Sequence, residues 1–280
     1  MHRIERTFAG RTLSIETGRM AKQAAGSALV QFGDTMVLAA VTVSDKRSTL
    51  PFFPLTVEYK EKTYAAGKIP GGFIKREGRP RDEEILSCRI IDRSIRPLFP
   101  EGFQNEVQVF IYVISADQEN DADVLGLVAT SFALSASRIP WAGPIAAVRV
   151  GRVEDKWVLN PTFQALEFSD MDLVVAGSQE SIMMVEGGAL EIGEDDVIKG
   201  LEIAQTGIRE LIAMQEELLA KLTVEKMEWS KNETPAEVVK TVTKAAKGRV
   251  EDAINQKDKH GRIAAVEAVK SAVKEEMATV

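Results

Sequence analysis

The order of hydrophobic periodicities along the chain is the feature that most restricts its fold. Four segments within the first 60 residues show the alternation or the extended composition of β-strands: residues 13–17, 28–32, 36–43 and 51–59. Gly33 and Asp34 supply a turn signal between the second and third segments. Helical patterns begin only after residue 80, and strand-like segments return beyond residue 107. The sequence therefore predicts a mixed α+β protein.

Two helices and a buried strand are predicted in the middle of the chain. Residues 81–95 follow Pro80, have an acidic first turn and end near Arg93 and Arg96, a charge order that suits the helix dipole. Residues 107–115 form a mostly apolar strand. An apolar helix then runs to about residue 137, and we expect Asp121 or Asp123 to cap its N-terminus.

Residues 144–222 are predicted to contain two hairpins and a long amphipathic helix. One hairpin pairs residues 144–150 with 157–159 about Gly151, and the other pairs residues 172–176 with 182–186. The helix spans about residues 194–222. Its predicted buried side consists of Ile198, Leu201, Ile208, Leu211, Leu218 and Leu222.

The composition changes after Trp229. Residues 230–235 form a polar linker, and Thr234 with Glu237 is predicted to form a capping box around Pro235. Two further helices follow, over about residues 235–254 and 262–277. We therefore expect a core domain over residues 1–228 and a small all-helical domain over residues 229–280. No terminating cap precedes Val280, so we expect the chain to be part of a longer protein.

Residue types that commonly perform acid–base or metal chemistry are scarce. His2 and His260 are the only histidines, which argues against a histidine base, a Ser-His-Asp triad or a histidine-rich metal site. Any chemistry must use carboxylates, arginines, lysines or a hard cation such as Mg²⁺. The single Cys88 suits a reducing compartment, and no apolar run approaches the roughly 20 residues of a membrane span. We expect a cytoplasmic protein without membrane contact.

A basic, glycine- and proline-rich segment lies between the last of the early strands and the first helix. Residues 60–81 contain seven basic and two acidic residues, a charge of +5 in a chain of net charge −7. Such a loop can bring amides and cations together on phosphates, and Phe73 beside Lys75 and Arg76 can stack on a base. The alternative interpretation is a solvated charged loop. The seven basic residues are Lys60, Lys62, Lys68, Lys75, Arg76, Arg79 and Arg81.

Three arginines are predicted to share one face of the helix over residues 81–95. Arg89, Arg93 and Arg96 are spaced at i, i+4 and i+7, so their side chains project together and repel one another. Two explanations are open. Asp92 and Glu106 can partly neutralise the arginines, or a bound polyanion can do so through bidentate guanidinium contacts.

Several collinear motifs resemble one known family. Residues 73–80 read FIKREGRP and residues 89–100 read RIIDRSIRPLFP. Residues 105–109, 143–151, 173–177 and 184–186 read NEVQV, GPIAAVRVG, LVVAG and MVE. Together these motifs resemble the first core half of bacterial polynucleotide phosphorylases over about residues 5–225. The following helices resemble the linker domain of that family.

This resemblance implies a fold and an activity. The fold is an RNase PH-like domain with mixed sheets, packed helices and a ribosomal-protein-like βαβ architecture, followed by a small all-α module. The activity is that of a phosphorolytic 3′-to-5′ exoribonuclease and polyribonucleotide nucleotidyltransferase, in which inorganic phosphate attacks the terminal phosphodiester of single-stranded RNA and releases nucleoside diphosphates. Family members are cytoplasmic homotrimers with two RNase PH-like halves per subunit. Proteins of the RNA-degradation machinery are further expected partners.

The resemblance also implies that the metal chemistry lies elsewhere. In the family, the phosphate-binding serine loop and the Mg²⁺-binding aspartates belong to the second half. At the corresponding positions this chain has Asn120-Asp121-Ala122-Asp123, and only Asp172 fills one of the two aspartate positions. The other aspartate and the nearby lysine are replaced by Leu166 and Val174. We therefore expect no metal site here and interpret Asp170 and Asp172 as turn or structural residues.

The residues that match the family's site fall into two groups. Arg89 and Arg93 match arginines that hold phosphate or the scissile backbone in the shared active site. Phe73, Lys75, Arg76 and Arg79 match the loop that threads RNA at the ring entrance, and Arg96 joins them as an RNA-binding candidate. Ile74 and Lys75 replace an aromatic residue and an arginine that are common there. The replacements remove stacking at Ile74 and bidentate contact at Lys75, but they retain cationic attraction.

Two functions remain open from the sequence. In the first, the chain is part of a phosphorolytic nuclease and supplies the RNA loop and the arginines, so that residues 1–280 alone are inactive. In the second, it is a catalytically silent, RNA-binding, ring-forming scaffold subunit. Continuation of the reading frame into a second RNase PH-like half favours the first, and a natural stop at Val280 favours the second.

Overall fold

A computed structural model describes residues 1–73, 75–231 and 235–278 of the 280-residue chain. The chain divides into two compact units, Met1–Trp229 and Ser230–Val280. This division falls one residue after the predicted boundary because Trp229 packs edge-on against Phe103, with ring centroids 6.0 Å apart. Ile74 and Thr234 lie outside the described residues, so the predictions for Ile74 and for the Thr234–Glu237 capping box have no structural counterpart here.

The first sheet of Met1–Trp229 contains six strands within the described residues, in the order β1-β2-β3-β4-β6-β5. Strand β5 pairs with β6 in parallel, and the other neighbours are antiparallel. The strand predictions for residues 13–17, 28–32, 36–43 and 107–115 are confirmed, whereas only the second half of residues 51–59 is a strand. The strands are β1 (His2–Phe8), β2 (Arg11–Thr17), β3 (Gly26–Phe32), β4 (Thr35–Arg47), β5 (Leu55–Glu61) and β6 (Asn105–Ser115).

Helix α1 (Asp82–Ile95) connects β5 to β6 and packs on β5, which gives the expected βαβ arrangement. Parallel neighbours require such a crossover because a tight turn only joins antiparallel strands. The buried carboxylate of Glu84 fixes the start of the helix. It accepts hydrogen bonds from the backbone N–H groups of Arg81 at 2.7 Å and of Glu61 at 2.8 Å. The Glu84 side chain therefore connects the two ends of the basic loop, residues 60–81.

Helix α2 (Asp123–Ser135) is buried along nearly its whole length and contacts strands of both sheets. Its N-cap residue is Ala122, so the prediction that Asp121 or Asp123 is the N-cap is wrong. The carboxylate of Asp121 accepts the N–H of Asp123 at 3.2 Å, and that of Asp123 accepts the N–H of Val124 at 2.5 Å. Asp121 precedes the N-cap and Asp123 follows it, and both carboxylates also contact Arg149.

The second sheet contains four antiparallel strands among the described residues, in the order β10-β9-β7-β8. Helix α4 (Glu194–Leu219) packs on β7 and β9, and the single-turn helix α3 (Phe163–Leu166) connects β8 to β9. The second predicted hairpin is thus confirmed as β9 and β10. The strands are β7 (Ala146–Val153), β8 (Lys156–Leu159), β9 (Ser169–Gly177) and β10 (Ile182–Ala189).

Two sequence predictions in this region are wrong. The β7–β8 turn lies at Glu154 and Asp155, whose φ angles are 48° and 60°, and not at Gly151. Gly151 lies within β7, where a Cβ atom would approach Ser169 Oγ to 2.9 Å, so the glycine serves close packing. On α4, Ile198 is 55% exposed and does not belong to the buried side, and the preceding residue, Val197, packs against the core instead. The other predicted positions of that side are buried or partly buried.

The unit Ser230–Val280 contains helices α5 (Ala236–Ile254) and α6 (Lys259–Ala278), which pack against each other. Arg249 and Glu276 form an ion pair of 2.7 Å between them. Helix α6 begins three residues earlier than predicted. None of the helices within the described ranges is long and apolar enough to cross a bilayer.

Candidate functional site

Three of the seven basic residues between positions 60 and 81 have partners within the chain. Lys60 forms an ion pair of 2.7 Å with Glu58. Lys62 Nζ lies 5.5 Å from the centroid of the Tyr112 ring. Arg81 forms ion pairs with Glu61 and Glu84. These three charges therefore stabilise the base of the loop, next to the ends of β5 and β6.

The other four cations project from the loop. Within the described part of the chain, no hydrogen bond or ion pair neutralises any of them, and all are exposed. The nearby carboxylate of Glu77 instead accepts the backbone N–H and the hydroxyl of Thr63, both at 2.9 Å, and these hydrogen bonds lower its pKa. Glu77 thus anchors the loop without pairing with its cations. The four are Lys68, Lys75, Arg76 and Arg79.

The loop presents these residues on two sides. A cavity of about 840 Å³ is lined by Lys68, Arg76 and Arg79, and by Gln118 and Asn120 from the segment before α2. Phe73 and Lys75 do not line this cavity, and both are exposed. Lys75 adopts a left-handed backbone conformation with φ of 55°. The loop therefore offers an inner cationic wall, with Phe73 and Lys75 outside it.

The arginine face of α1 is neutralised unevenly. Arg96 bonds to Asp92 at 2.6 and 2.9 Å and also donates to the backbone carbonyl groups of Phe53 and Leu55. The predicted role of Asp92 is therefore confirmed. Glu106 does not contribute, because its carboxylate accepts a hydrogen bond from Gln108 at 2.8 Å.

The other two arginines of the helix differ from Arg96. Arg93 forms an ion pair with Glu186 of strand β10, and Arg89 is exposed without a partner among the described residues. Glu186 was missed as a partner because it lies 93 positions from Arg93, and no local spacing connects α1 with β10. The only signal was its place in the MVE motif of residues 184–186.

A second arginine centre lies on β7 and was also missed. Arg149 Nη2 contacts Asp121 at 2.9 Å and Asp123 at 2.7 Å, while Nη1 contacts both oxygens of Asp172 at 2.6 and 2.9 Å. Burial favours the neutral guanidine, but the three carboxylates outweigh it and raise the pKa of Arg149. Burial, followed by the charge of Asp121, raises the pKa of Asp123 to about 7 against the opposing effect of Arg149.

The geometry of this centre does not suit a metal ion. The Arg149 guanidinium bonds to all three aspartates around it, so their oxygens do not converge on a free position. Within the described ranges, no group of three or more histidine, cysteine, aspartate or glutamate residues is arranged to hold a metal ion. Asp170 and Asp172 lie in β9 and not in a turn, and Asp170 pairs with Arg152 at 2.6 Å.

Comparisons with known proteins assign most of the chain to one family. A family model described as 3′ exoribonuclease family, domain 1, matches residues 9–140, and one described as domain 2 of the same family matches residues 143–207. The region predicted as one core domain thus contains two family regions. The first region comprises strands β2 to β6 of the first sheet with α1 and α2, and the second comprises the four-stranded sheet and about half of α4.

Sequence relatives share one name. The chain is 74% identical to the polyribonucleotide nucleotidyltransferase of Gemmatimonas aurantiaca, over 98% of this chain and 38% of that protein. The enzyme of the same name from Bacillus subtilis is 48% identical over 95% of this chain and 38% of its own length. The chain thus spans about two fifths of the length of the curated relatives it matches.

A solved structure supports the fold alone. Rice Rrp46 matches with a TM-score of 0.62 and 16% sequence identity, over 76% of this chain and 98% of that one. The mixed sheets and packed helices described above are thus those of an RNase PH-like fold. By its family matches over residues 9–140 and 143–207, the chain belongs to the 3′ exoribonuclease (RNase PH) family and is similar to part of the bacterial polyribonucleotide nucleotidyltransferases.

Proposed function

We propose that this chain is part of a phosphate-dependent 3′-to-5′ exoribonuclease and polyribonucleotide nucleotidyltransferase, to which it contributes an RNA-guiding loop and two arginines of a shared active site. In this reaction inorganic phosphate attacks the terminal phosphodiester of RNA, and a nucleoside diphosphate leaves. The observation that carries the proposal is the uneven neutralisation of cations. The described chain supplies counter-ions for Arg149 but none for Arg89 or for the loop cations Lys68, Lys75, Arg76 and Arg79.

The loop suits a single-stranded polyanion. Cations without intramolecular partners attract phosphates and release the counterions condensed on the strand. The exposed Phe73 ring can stack on any base, which gives affinity without sequence preference. Lys75, Arg76 and Arg79 supply the charge, and the glycine-rich backbone allows close approach. We therefore assign RNA guidance to this loop.

The exposed face of helix α1 that carries the arginines can bind a phosphate group. Arg89 and Arg93 lie one turn apart on an exposed face, so two guanidinium groups can bind neighbouring oxygens of one phosphate or of the scissile backbone. Arg96 already donates to Asp92, Phe53 and Leu55, so it contributes to RNA binding mainly through its charge. We assign Arg89 and Arg93 to the shared active site.

Magnesium is assigned to the second half of the full-length protein. The residues of this half do not fit the ion, because Arg149 bonds to each carboxylate that would have to hold it. The proposed assembly is a cytoplasmic homotrimer that acts on single-stranded RNA with inorganic phosphate as co-substrate, alongside other proteins of RNA degradation. The motif resemblance implies this assembly, and the names of the relatives support the nucleotidyltransferase activity.

A second candidate function is a catalytically silent, RNA-binding, ring-forming scaffold. The occupied carboxylate centre around Arg149 favours it, because this chain then has RNA-binding cations but no metal chemistry of its own. The two functions differ in what the full-length protein does. Phosphate-dependent release of nucleoside diphosphates from poly(A) supports the enzyme, and its absence supports the scaffold.

The test compares arginine variants of the full-length protein. Arg93→Ala should lower the rate of poly(A) phosphorolysis about 100-fold, the usual cost of removing one group that stabilises developing charge. Arg138→Ala is the matched control, since Arg138 is an exposed arginine paired with Asp45 outside the candidate site. Equal, small effects of both variants would contradict the proposed role of α1. Turnover by purified residues 1–280 alone would contradict the assignment of the chemistry to the second half.

A further inference from the structure

The ion pair between Arg93 and Glu186 joins α1 to strand β10. Both side chains are partly exposed, at 46% and 41%, and the guanidinium of Arg93 has no other partner among the described residues. Arg89, one turn earlier on the same helix, has none. Glu186 is therefore the counter-ion for one of the two arginines that the proposed function assigns to phosphate.

The position of Glu186 is fixed by the backbone around it. Strand β10 pairs with β9, and Glu186 lies opposite Val174 in that register. At the next position, a Cβ atom on Gly187 would approach the carbonyl oxygen of Asp172 to 2.0 Å, so the two strands are in close contact that only glycine permits. Glu186 thus lies next to a point of close approach between β10 and β9.

Glu186 also lines a cleft beside the Arg149 centre. The cleft has a volume of about 460 Å³, and its wall includes Ser87 and Ile90 of α1 together with Arg149 and Asp172. Asp172 is already bonded to Arg149, so its charge is neutralised within the centre. Glu186 bonds instead to Arg93, and this contact places the guanidinium next to the cleft.

An exposed ion pair of this kind is readily exchanged. Pairs of exposed side chains contribute little because water and salt screen them. A phosphate group has higher charge than a carboxylate and matches the guanidinium fork with two parallel hydrogen bonds. An arriving phosphate can therefore replace Glu186 on Arg93, whereas it cannot replace the three aspartates that hold Arg149.

We propose that Glu186 is a positioning residue that holds the Arg93 guanidinium beside the cleft and gives it up to an incoming phosphate group. This inference rests on the proposed function, because it requires Arg93 to bind phosphate. Glu186 then competes with phosphate for Arg93, so that it keeps the arginine in place at the cost of some phosphate affinity. Its neutral variant should bind phosphate more tightly.

The experiment measures phosphorolysis by the full-length protein at constant ionic strength. Glu186→Gln should lower KM for inorganic phosphate about two- to fivefold, the range expected for loss of an exposed competing ion pair. The kcat should change less than twofold, and Glu186→Asp should retain a KM close to that of the parent protein. An unchanged or increased KM for Glu186→Gln overturns the inference.

A double-mutant cycle separates this inference from the proposed function. In an Arg93→Ala background, Glu186→Gln should have no further effect on KM, because the two side chains act as a pair. Glu83→Gln on α1 is the charge control, and its effect should be the same with and without Arg93. If Glu186→Gln still changes KM without Arg93, the inference fails while the function stands. If Arg93→Ala leaves phosphorolysis unchanged, the proposed role of Arg93 fails, and the inference about Glu186 fails with it.

Discussion

Two groups of cations in this protein differ in the source of their counter-ions. On β7 the fold provides it, with carboxylates bonded to every guanidinium. For Arg89 and for four cations of the basic loop (Lys68, Lys75, Arg76 and Arg79), the described chain provides none. Burying an unpaired charge is very unfavourable, so the partners of Arg149 stabilise the fold, whereas the exposed cations remain available to an external anion. The pairs on β7 are Arg149 with Asp121, Asp123 and Asp172, and Arg152 with Asp170 and Asp196.

The largest expected effect comes from removing the buried cation. Arg149→Met leaves Asp121, Asp123 and Asp172 close together without a counter-ion, so the free energy of unfolding should fall by about 3–5 kcal/mol. Urea unfolding followed by circular dichroism measures this change. Lys68→Met is the matched control from the loop, and it should change stability by less than about 0.5 kcal/mol. Equal destabilisation by both substitutions would remove the distinction between the two groups.

The second prediction concerns pH and the same centre. The pKa of Asp123 rises from 3.8 to about 7 on folding, so between these values the folded chain holds a proton that the unfolded chain has released. Stability should therefore fall as pH increases from about 4 to about 7, by at most about 1.4 kcal/mol per pH unit. Asp123→Asn should flatten this dependence.

The measurement is a set of urea unfolding curves between pH 4 and pH 8. Asp172→Asn is the control, because Asp172 contacts the same guanidinium but is 46% exposed. It should leave the slope between pH 4 and pH 7 in place. A slope that survives Asp123→Asn would show that another group is responsible.

Local patterns explain which parts of the fold could be predicted. The early strands, α1 and the β9–β10 hairpin follow from periodicity and from helix-end signals within each segment. The β7–β8 turn was misplaced because Gly151 carries a turn-like signal for a different reason, its close contact with Ser169. The turn itself uses Glu154 and Asp155, of which only Asp155 is a residue type that turns favour. Tertiary packing thus overrode the local signal.

For the candidate site, the sequence predicts the cations but not the long-range partners that they contact. The loop cations and the three arginines of α1 follow from composition and from helical spacing, and they lie where these patterns place them. Of their counter-ions, only Asp92, one turn from Arg96 on the same helix, follows from such spacing. Glu186 and Arg149 come from strands of the second sheet, and which carboxylate reaches which arginine depends on strand register and on helix docking. No spacing in the sequence encodes these long-range pairs.

The third prediction concerns the loop and RNA affinity. Lys75→Gln removes an exposed cation that has no partner in the described chain, so binding to poly(A) should weaken about two- to fivefold. The slope of log affinity against log salt should become shallower by about 0.7, the value for one contact with a single strand. Filter binding or fluorescence anisotropy over a salt series measures both.

The control for the loop uses a cation that the chain already neutralises. Lys60 pairs with Glu58 at 2.7 Å, so Lys60→Gln should change the salt slope less than Lys75→Gln does. Equal changes would mean that intramolecular pairing does not decide which cations contact RNA. The basic loop would then be a solvated charged loop whose total charge alone matters.

The smallest expected effect is also the one that most directly separates stability from function. Arg89 repels Arg93 one turn away on α1, and no carboxylate in the described chain compensates for it. Arg89→Gln keeps a good helix-forming residue and removes the repulsion, so the free energy of unfolding should rise by about 0.2–0.5 kcal/mol. Phosphorolysis by the full-length protein should decrease in the same variant. A stabilised but less active protein would mean that Arg89 is retained for an external anion, because the fold alone is better without its charge. Loss of stability would instead mean that Arg89 contributes to the fold, as Arg149 does.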